Sequence, residues 1–144
     1  MESKYDSLSL KNQICFPLYL CSKEIIRKYT PYLNELDLTY TQYVVMMYFW
    51  EKQESNVKQI SKILLIDTGT LTPLLKKLEN KGYIERNKSL KDGRNLDVKV
   101  TKKGMNLRDK ALQIPKKVWE CLNLSENEIK DLYIILNKIL NNLE

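Results

Sequence analysis

Cys15 stands beside Phe16 and one helical turn before Tyr19 in the stretch QICFPLY, residues 13–19 of a 144-residue chain with three cysteines and no histidine. The missing imidazole removes Ser-His and Cys-His catalysis, HExxH metal sites and histidine pH switching together. Thiol, carboxylate, phenol and amine remain for chemistry. A four-residue step puts Cys15 and Tyr19 on one helical face, where a phenol can donate to the sulfur. Near a helix N-terminus a thiolate also meets the positive end of the helix dipole. Such a sulfur attacks a peroxide O–O bond, giving a sulfenic acid that then forms a disulfide or is over-oxidised. The competing reading of Cys15 is a buried, inert thiol. Cys21 is read that way, because it shares an apolar stripe with Ile14, Leu18 and Ile25. The odd cysteine count and the absence of a CxxC pair leave no metal and no cofactor to expect.

A second group of residues has the chemistry of anion recognition. Residues 57–110 carry 14 Lys/Arg against 6 Asp/Glu, a net charge of +8, while the segments before and after are each −1. Basic charge confined to one segment implies a polyanion partner, nucleic acid before membrane, since no basic amphipathic helix with exposed aromatics accompanies it. A solvated Lys-rich surface is the plain alternative. Within this segment DTGTLT, residues 67–72, offers the hydroxyls of Thr68, Thr70 and Thr72 to phosphate or base, and Gly69 permits close backbone approach. Lys76 and Lys77 add charge suited to phosphates, which contributes affinity more than sequence information. Simple capping is the other reading of the threonines. Further on, Asp92, Gly93 and Arg94 place an arginine at a polar turn, which by itself is an ordinary exposed DG turn.

The elements that must position these groups are legible from periodicity. Ile14, Leu18, Cys21 and Ile25 predict a helix from Leu8 to about Tyr29, ended by Pro31. TYTQ, residues 39–42, reads as a capping box opening a buried helix that runs to about Lys52. A short helix over about 57–65, with Ile60, Ile63 and Leu64 inward, is followed by a turn. The next helix is capped by Asp67 or Thr68, carries Leu71, Leu74, Leu75 and Leu78 inward, and ends at Gly82. Two helices joined in this way, the second bearing Lys76, Lys77 and Lys81 on its polar side, form a helix-turn-helix pattern. YIERNK (83–88) and LDVKVT (96–101) then alternate with period two around SLKDGRN, which predicts a β-hairpin with a basic tip. A long helix is expected from Thr101 to about Leu122. SENE (125–128) reads as a second capping box, before a last helix whose Ile129, Leu132, Leu136, Ile139 and Leu143 step 3, 4, 3, 4 like a dimer seam.

The fold class expected is therefore mainly α with a small β-hairpin wing: a winged helix-turn-helix with N- and C-terminal dimerisation helices. One domain spans 1–144, with a DNA-binding lobe over 38–103 and dimerisation helices over 8–36 and 104–144. The composition, 43% hydrophobic and 29% charged, is that of a soluble globular protein. No apolar run is long enough to span a membrane, and MESKYDS lacks a signal peptide's basic-then-apolar signature, so the cytoplasm is the expected compartment.

Several blocks resemble the MarR family of bacterial transcription regulators, and within it the organic hydroperoxide repressors: NQICFPLYLCSKEIIRKY, LTYTQYVVMMYFWE, IDTGTLTPLLKKLENKGYIER and DGRNLDVKVTKKG. The resemblance covers essentially the whole chain, and DTGTLTPLLKKLE and the cysteine in Q-x-C-F are its most specific parts. It implies a homodimeric repressor, not an enzyme, that binds a pseudo-palindromic double-stranded DNA operator and releases it when Cys15 is oxidised by an organic hydroperoxide. It also implies that Tyr19, Tyr29 and Tyr40 stabilise the thiolate, Tyr29 and Tyr40 coming from the other subunit. Arg94 would enter the minor groove with Asp92 orienting it. Cys121 falls where some relatives carry a resolving thiol, which would pair with Cys15 of the other subunit; a packed Cys121 beside Trp119 and Leu122 is the alternative. Pro17 departs from the family pattern and inside a helix would remove a hydrogen bond. Three rival readings remain: release by a small aromatic ligand instead of oxidation, a thiol peroxidase using Cys15, and a winged helix used only for protein contacts.

Overall fold

The computed structural model describes residues 3–143, so residues 1, 2 and 144 of the expected domain lie outside it. The chain divides into one compact unit up to Leu112 and a second from Gln113 onward.

In the first unit two short 3-10 turns, Asp6–Leu8 and Leu10–Asn12, precede α1 (Cys15–Glu35). The helix thus starts at Cys15 rather than Leu8. This start removes the difficulty with Pro17, which is the third helical residue, where a backbone N–H has no intrahelical partner to lose. Pro31 does not end the helix either; α1 continues through it for another turn. Burial accounts for that continuation, since Leu33 is 1% exposed and Leu36, just past the end, is 6% exposed.

The Thr39–Gln42 capping box is present in both directions, with Gln42 N–H donating to Thr39 Oγ1 at 3.3 Å and Thr39 N–H to Gln42 Oε1 at 3.1 Å. It opens α2 (Tyr40–Lys52), whose Tyr43, Val45, Met46 and Phe49 are buried as its all-round apolar sequence requires. α3 (Val57–Leu64) buries Ile60, whereas Ile63, expected inward, is exposed. α4 (Thr68–Asn80) buries Leu71, Leu74, Leu75 and Leu78 on one stripe. It closes in a Schellman motif: Gly82, at φ 78, donates to Glu79 O at 2.8 Å, and Tyr83 to Leu78 O at 3.0 Å.

Sequence periodicity missed a strand. β1 (Glu54–Asn56) has three polar residues and no alternation to reveal it, yet it pairs antiparallel with β3 (Leu96–Val100), which also pairs antiparallel with β2 (Ile84–Lys88). The sheet order is β1-β3-β2, and the register sets Ser55 against Val98 and Arg86 against Val98. The first unit's core joins Phe49, Met46 and Val45 of α2 to Ile60, Leu71, Leu75, Leu78, Ile84 and Val98, each at most 1% exposed. Burying each such side chain contributes roughly 2 kcal/mol.

The long helix expected over 101–122 is two helices, α5 (Lys102–Ala111) and α6 (Ile114–Leu122). Pro115 explains the break: it cannot donate to the carbonyl a turn back, and it sits instead in the first turn of α6. In the second unit, α6 ends on left-handed Asn123, and Ser125 and Glu128 form the expected capping box before α7 (Glu126–Leu143). α7 has no buried residue among those described.

Candidate nucleic-acid interface and thiol site

The turn between α3 and α4 is built from few residues. Leu65 takes the left-handed conformation at φ 52, Ile66 N–H donates to Ser61 O at 3.2 Å, and Ser61 Oγ donates to Ile66 O at 2.7 Å. Asp67 then caps α4: its Oδ1 accepts Thr70 N–H at 2.9 Å and its Oδ2 accepts the Thr70 hydroxyl at 2.7 Å. Those bonds, the hydroxyl's first, hold the Asp67 carboxyl below its ordinary value. The Thr72 hydroxyl donates to Thr68 O at 2.8 Å. Thr68, Gly69, Thr70, Thr72, Lys76 and Lys77 are all exposed along one helix while its leucines face inward, but the Thr70 and Thr72 hydroxyl protons are engaged within the helix and its cap, which leaves those two oxygens as acceptors.

At the wing, Ser89 N–H donates to Asn95 O at 2.9 Å and closes the tip. Asp92 Oδ1 accepts the main-chain N–H of Arg94 at 3.1 Å, so the carboxylate shapes the turn through the Arg94 backbone rather than its guanidinium. Lys88, Lys91, Asp92, Gly93 and Arg94 are exposed. The base of the wing is fixed to α4 by Glu79 and Arg86, a pair that sequence reading did not single out. Their sequence separation of seven, across a helix end and a turn, gives no periodic signal.

The residues expected to act in thiol sensing fall into separate places within one chain. Cys15 is the first residue of α1 and exposed, with Tyr19, 61% exposed, one turn on. Tyr29 and Tyr40 meet each other, ring centroids 5.2 Å apart, but Tyr29 lies about 21 Å along α1 from Cys15 at ~1.5 Å per residue. Tyr43 completes this cluster, 5.8 Å from Tyr29 and 6.3 Å from Tyr40, with Trp50 edge-on to it at 6.1 Å. Burial first, then the neighbouring Tyr29 and Tyr40 phenols, pushes the Tyr43 phenol up to about 12. Tyr43 stands three residues after Tyr40 and directly before the apolar VVMMYFW run, so its spacing does not set it apart from the core residues of the same helix. Cys21, expected in the core, is exposed, as is most of its stripe: Ile14 is 73% and Leu18 37% exposed. Cys121, in the second unit, is exposed and its thiol donates to Lys117 O at 3.4 Å. No group of carboxylates and cysteines suited to a metal occurs among the described residues, and no helix there is long and apolar enough to cross a membrane.

Residues 27–111 match the pattern defining the transcriptional regulators SarA/Rot. The chain is similar to the HTH-type transcriptional regulator SarZ of Staphylococcus haemolyticus, 42% identical over 133 residues that cover 92% of this chain and 90% of the relative. Among solved structures it is similar to reduced AbfR of Staphylococcus epidermidis bound to DNA, with a TM-score of 0.80 and 29% identity over 98% of this chain and 99% of that one. Overoxidised AbfR bound to DNA gives a TM-score of 0.77 at 29% identity, over 99% of this chain and 100% of the other.

Proposed function

Since this chain belongs to the SarA/Rot family of transcriptional regulators, winged-helix proteins of the MarR type, we propose that it is a homodimeric repressor that releases its operator when Cys15 is oxidised by an organic hydroperoxide. DNA binding is the family's trade; the sensing step is our reading. The observation that carries it is an exposed thiol on the first residue of α1, one turn before Tyr19, in a chain whose solved relative AbfR binds DNA and has reduced and overoxidised forms.

Thr68, Gly69, Thr70 and Thr72 would enter the major groove, Lys76 and Lys77 would meet phosphates, and Arg94, held by Asp92, would enter an A·T-rich minor groove. A two-fold dimer would set the two α4 helices about 34 to 36 Å apart, one DNA turn. The unpartnered apolar faces of α1, with Phe16, Leu18 and Leu20 each 37% exposed, and of α7, with Leu132 and Ile139, support this assembly. The same dimer would bring the Tyr29–Tyr40 cluster of one protomer toward Cys15 of its partner.

In the reaction the Cys15 thiolate attacks one peroxide oxygen, an S–O bond forms as the O–O bond breaks, and the alcohol leaves after taking a proton. Sulfur loses two electrons and the peroxide gains them. Attack by the partner's Cys121 thiolate on the sulfenic sulfur would then form the disulfide as the S–O bond breaks, the hydroxide taking a proton from solvent and leaving as water. That AbfR is found on DNA in an overoxidised form favours the disulfide, rather than further oxidation of one sulfur, as the releasing state.

The deciding measurement is binding to A·T-rich palindromic DNA before and after one equivalent of organic hydroperoxide, for wild type and Cys15→Ser. Loss of binding in the wild type alone is the expected result. Equal retention by both would transfer regulation to a small ligand, and no salt-dependent binding by either would remove the DNA-binding reading.

A further inference from the structure

Lys81 closes α4 and stands four residues beyond Lys77, so its position in the basic segment marks it as one more phosphate contact. The structure gives its ammonium other partners. Lys81 Nζ donates to the Asp37 main-chain carbonyl, lies 3.3 Å from Asp37 Oδ1, and donates to Gln42 Oε1 at 3.2 Å. Two of these oxygens belong to the elbow between α1 and α2, and the third to the first turn of α2. Gln42 is 4% exposed and already fixed by the capping box, and Asp37 holds a left-handed φ of 53, a conformation that costs a non-glycine residue free energy.

Two residues on, the buried Tyr83 donates its hydroxyl to Leu36 O at 3.3 Å, a further bond to the same elbow. From the opposite side Lys103 Nζ donates to Lys81 O at 2.8 Å, and the Thr101 hydroxyl donates to Gly82 O at 2.6 Å. The C-terminal end of α4 is thus clamped to the elbow and to the start of α5, while its N-terminal turn stands exposed. The buried leucine stripe seats α4 in the core, and the clamp fixes its C-terminal end against the elbow, so the clamp bears on the angle at which the exposed residues of the first turn are presented.

We propose that Lys81 is a positioning residue that sets the pose of α4 on the α1–α2 elbow, and through it the half-site spacing the dimer reads, rather than a phosphate contact. The consequence for DNA rests on the dimeric DNA-binding reading above; the clamp itself does not. Because α1 carries Cys15 at its start and Tyr29 near its end, a displacement of α1 reaches α4 through this same contact.

The test compares wild type with Lys81→Met, which keeps length and removes charge, and with Lys77→Met. Affinity is measured on palindromes whose half-sites are moved apart or together by single base pairs, across a salt series. Amide exchange is measured without DNA. Wild type should prefer one spacing, and Lys81→Met should lose that preference by at least about fivefold, the lower end of ordinary coupling between sites. Its salt slope should equal that of wild type, whereas Lys77→Met should lower the slope by about 0.9. Exchange at residues 36–38 and 81–83 should speed up in Lys81→Met, and to a smaller degree in Tyr83→Phe, a variant that keeps the ring in place. A Lys81→Met protein with a reduced salt slope and intact spacing preference would make Lys81 a phosphate contact and overturn the proposal; so would unchanged exchange. A wild type that binds none of these DNAs would defeat the DNA-binding reading, and the exchange result would still decide the clamp.

Discussion

Glu79 and Arg86 join α4 to the wing through two bonds: Arg86 Nη2 donates to Glu79 Oε1 at 3.1 Å, and the Arg86 main-chain N–H donates to Oε2 at 3.0 Å. The Arg86 side chain is only 16% exposed and its Nε is buried without a hydrogen-bond partner, so Glu79 is what compensates this charge. The Arg86 side-chain bond, acting against burial, holds the Glu79 carboxyl below the ordinary glutamate value. Lowering of the native value means that the unfolded chain binds the proton more readily. The pair's stabilisation is therefore complete above the ordinary glutamate value of 4.5 and is lost as pH falls through the lowered native value. Glu79→Gln should cost about 1 to 2 kcal/mol at neutral pH by urea unfolding. That difference should shrink below pH 4.5, and a pH-independent difference would count against the ion pair.

Gly104 has no room for a methyl group. A Cβ there would lie 2.1 Å from Tyr83 O and 2.8 Å from Val100 Cγ2, while the Gly104 carbonyl accepts the Trp50 indole N–H at 2.9 Å. Gly104→Ala should destabilise by about 3 kcal/mol, the cost of a forced backbone shift in a packed region. Thermal unfolding of the variant checks this, and a melting temperature equal to wild type would show that α5 moves aside freely.

Arg94 and Lys77 should separate cleanly by what they do to binding. Arg94→Ala should weaken binding mainly where the flanking minor groove is A·T-rich, by about 1 to 3 kcal/mol. Lys77→Ala should weaken all sequences alike and lower the salt slope by about 0.9. Fluorescence anisotropy with A·T- and G·C-flanked duplexes distinguishes them; equal effects of the two variants on both duplexes would exclude a minor-groove role for Arg94.

The three cysteines, all exposed in the chain, make different predictions on a non-reducing gel. After hydroperoxide, wild type and Cys21→Ser should run as linked dimers, and Cys15→Ser and Cys121→Ser as monomers. Within one straight helix Cys15 and Cys21 are separated by about 9 Å, beyond disulfide reach. Linked dimers in Cys121→Ser would assign the resolving role to another thiol.

The fold was legible in the sequence wherever burial imposes a period. The leucine stripe of α4, the two capping boxes and the alternation of β3 all appear where spacing placed them. What escaped is what burial does not write into a local pattern. β1 is three polar residues recruited by hydrogen bonds to β3. Pro31 looked like a stop because its local cost is visible and the distant packing of Leu33 is not. Cys21 and Ile14 looked like core because a stripe says only that a face is apolar, and in the single chain that face is open. Of the proposed site, the threonines, lysines and wing arginine were singled out by type and spacing and stand exposed, whereas Tyr43, Glu79, Arg86 and the contacts of Lys81 depend on which elements meet.

β3 lies in the middle of its sheet, and this placement bears on how the protein avoids aggregation. In a two-stranded hairpin the side of β3 away from β2 would show bare N–H and C=O groups, a template on which a strand of another molecule could add. Here Glu54–Asn56 occupies that side. The edges that remain belong to a three-residue strand and to one bearing Glu85, Arg86 and Lys88, short and charged enough to resist strand addition. An exposed wing can therefore reach into solvent without offering a seed for a fibril.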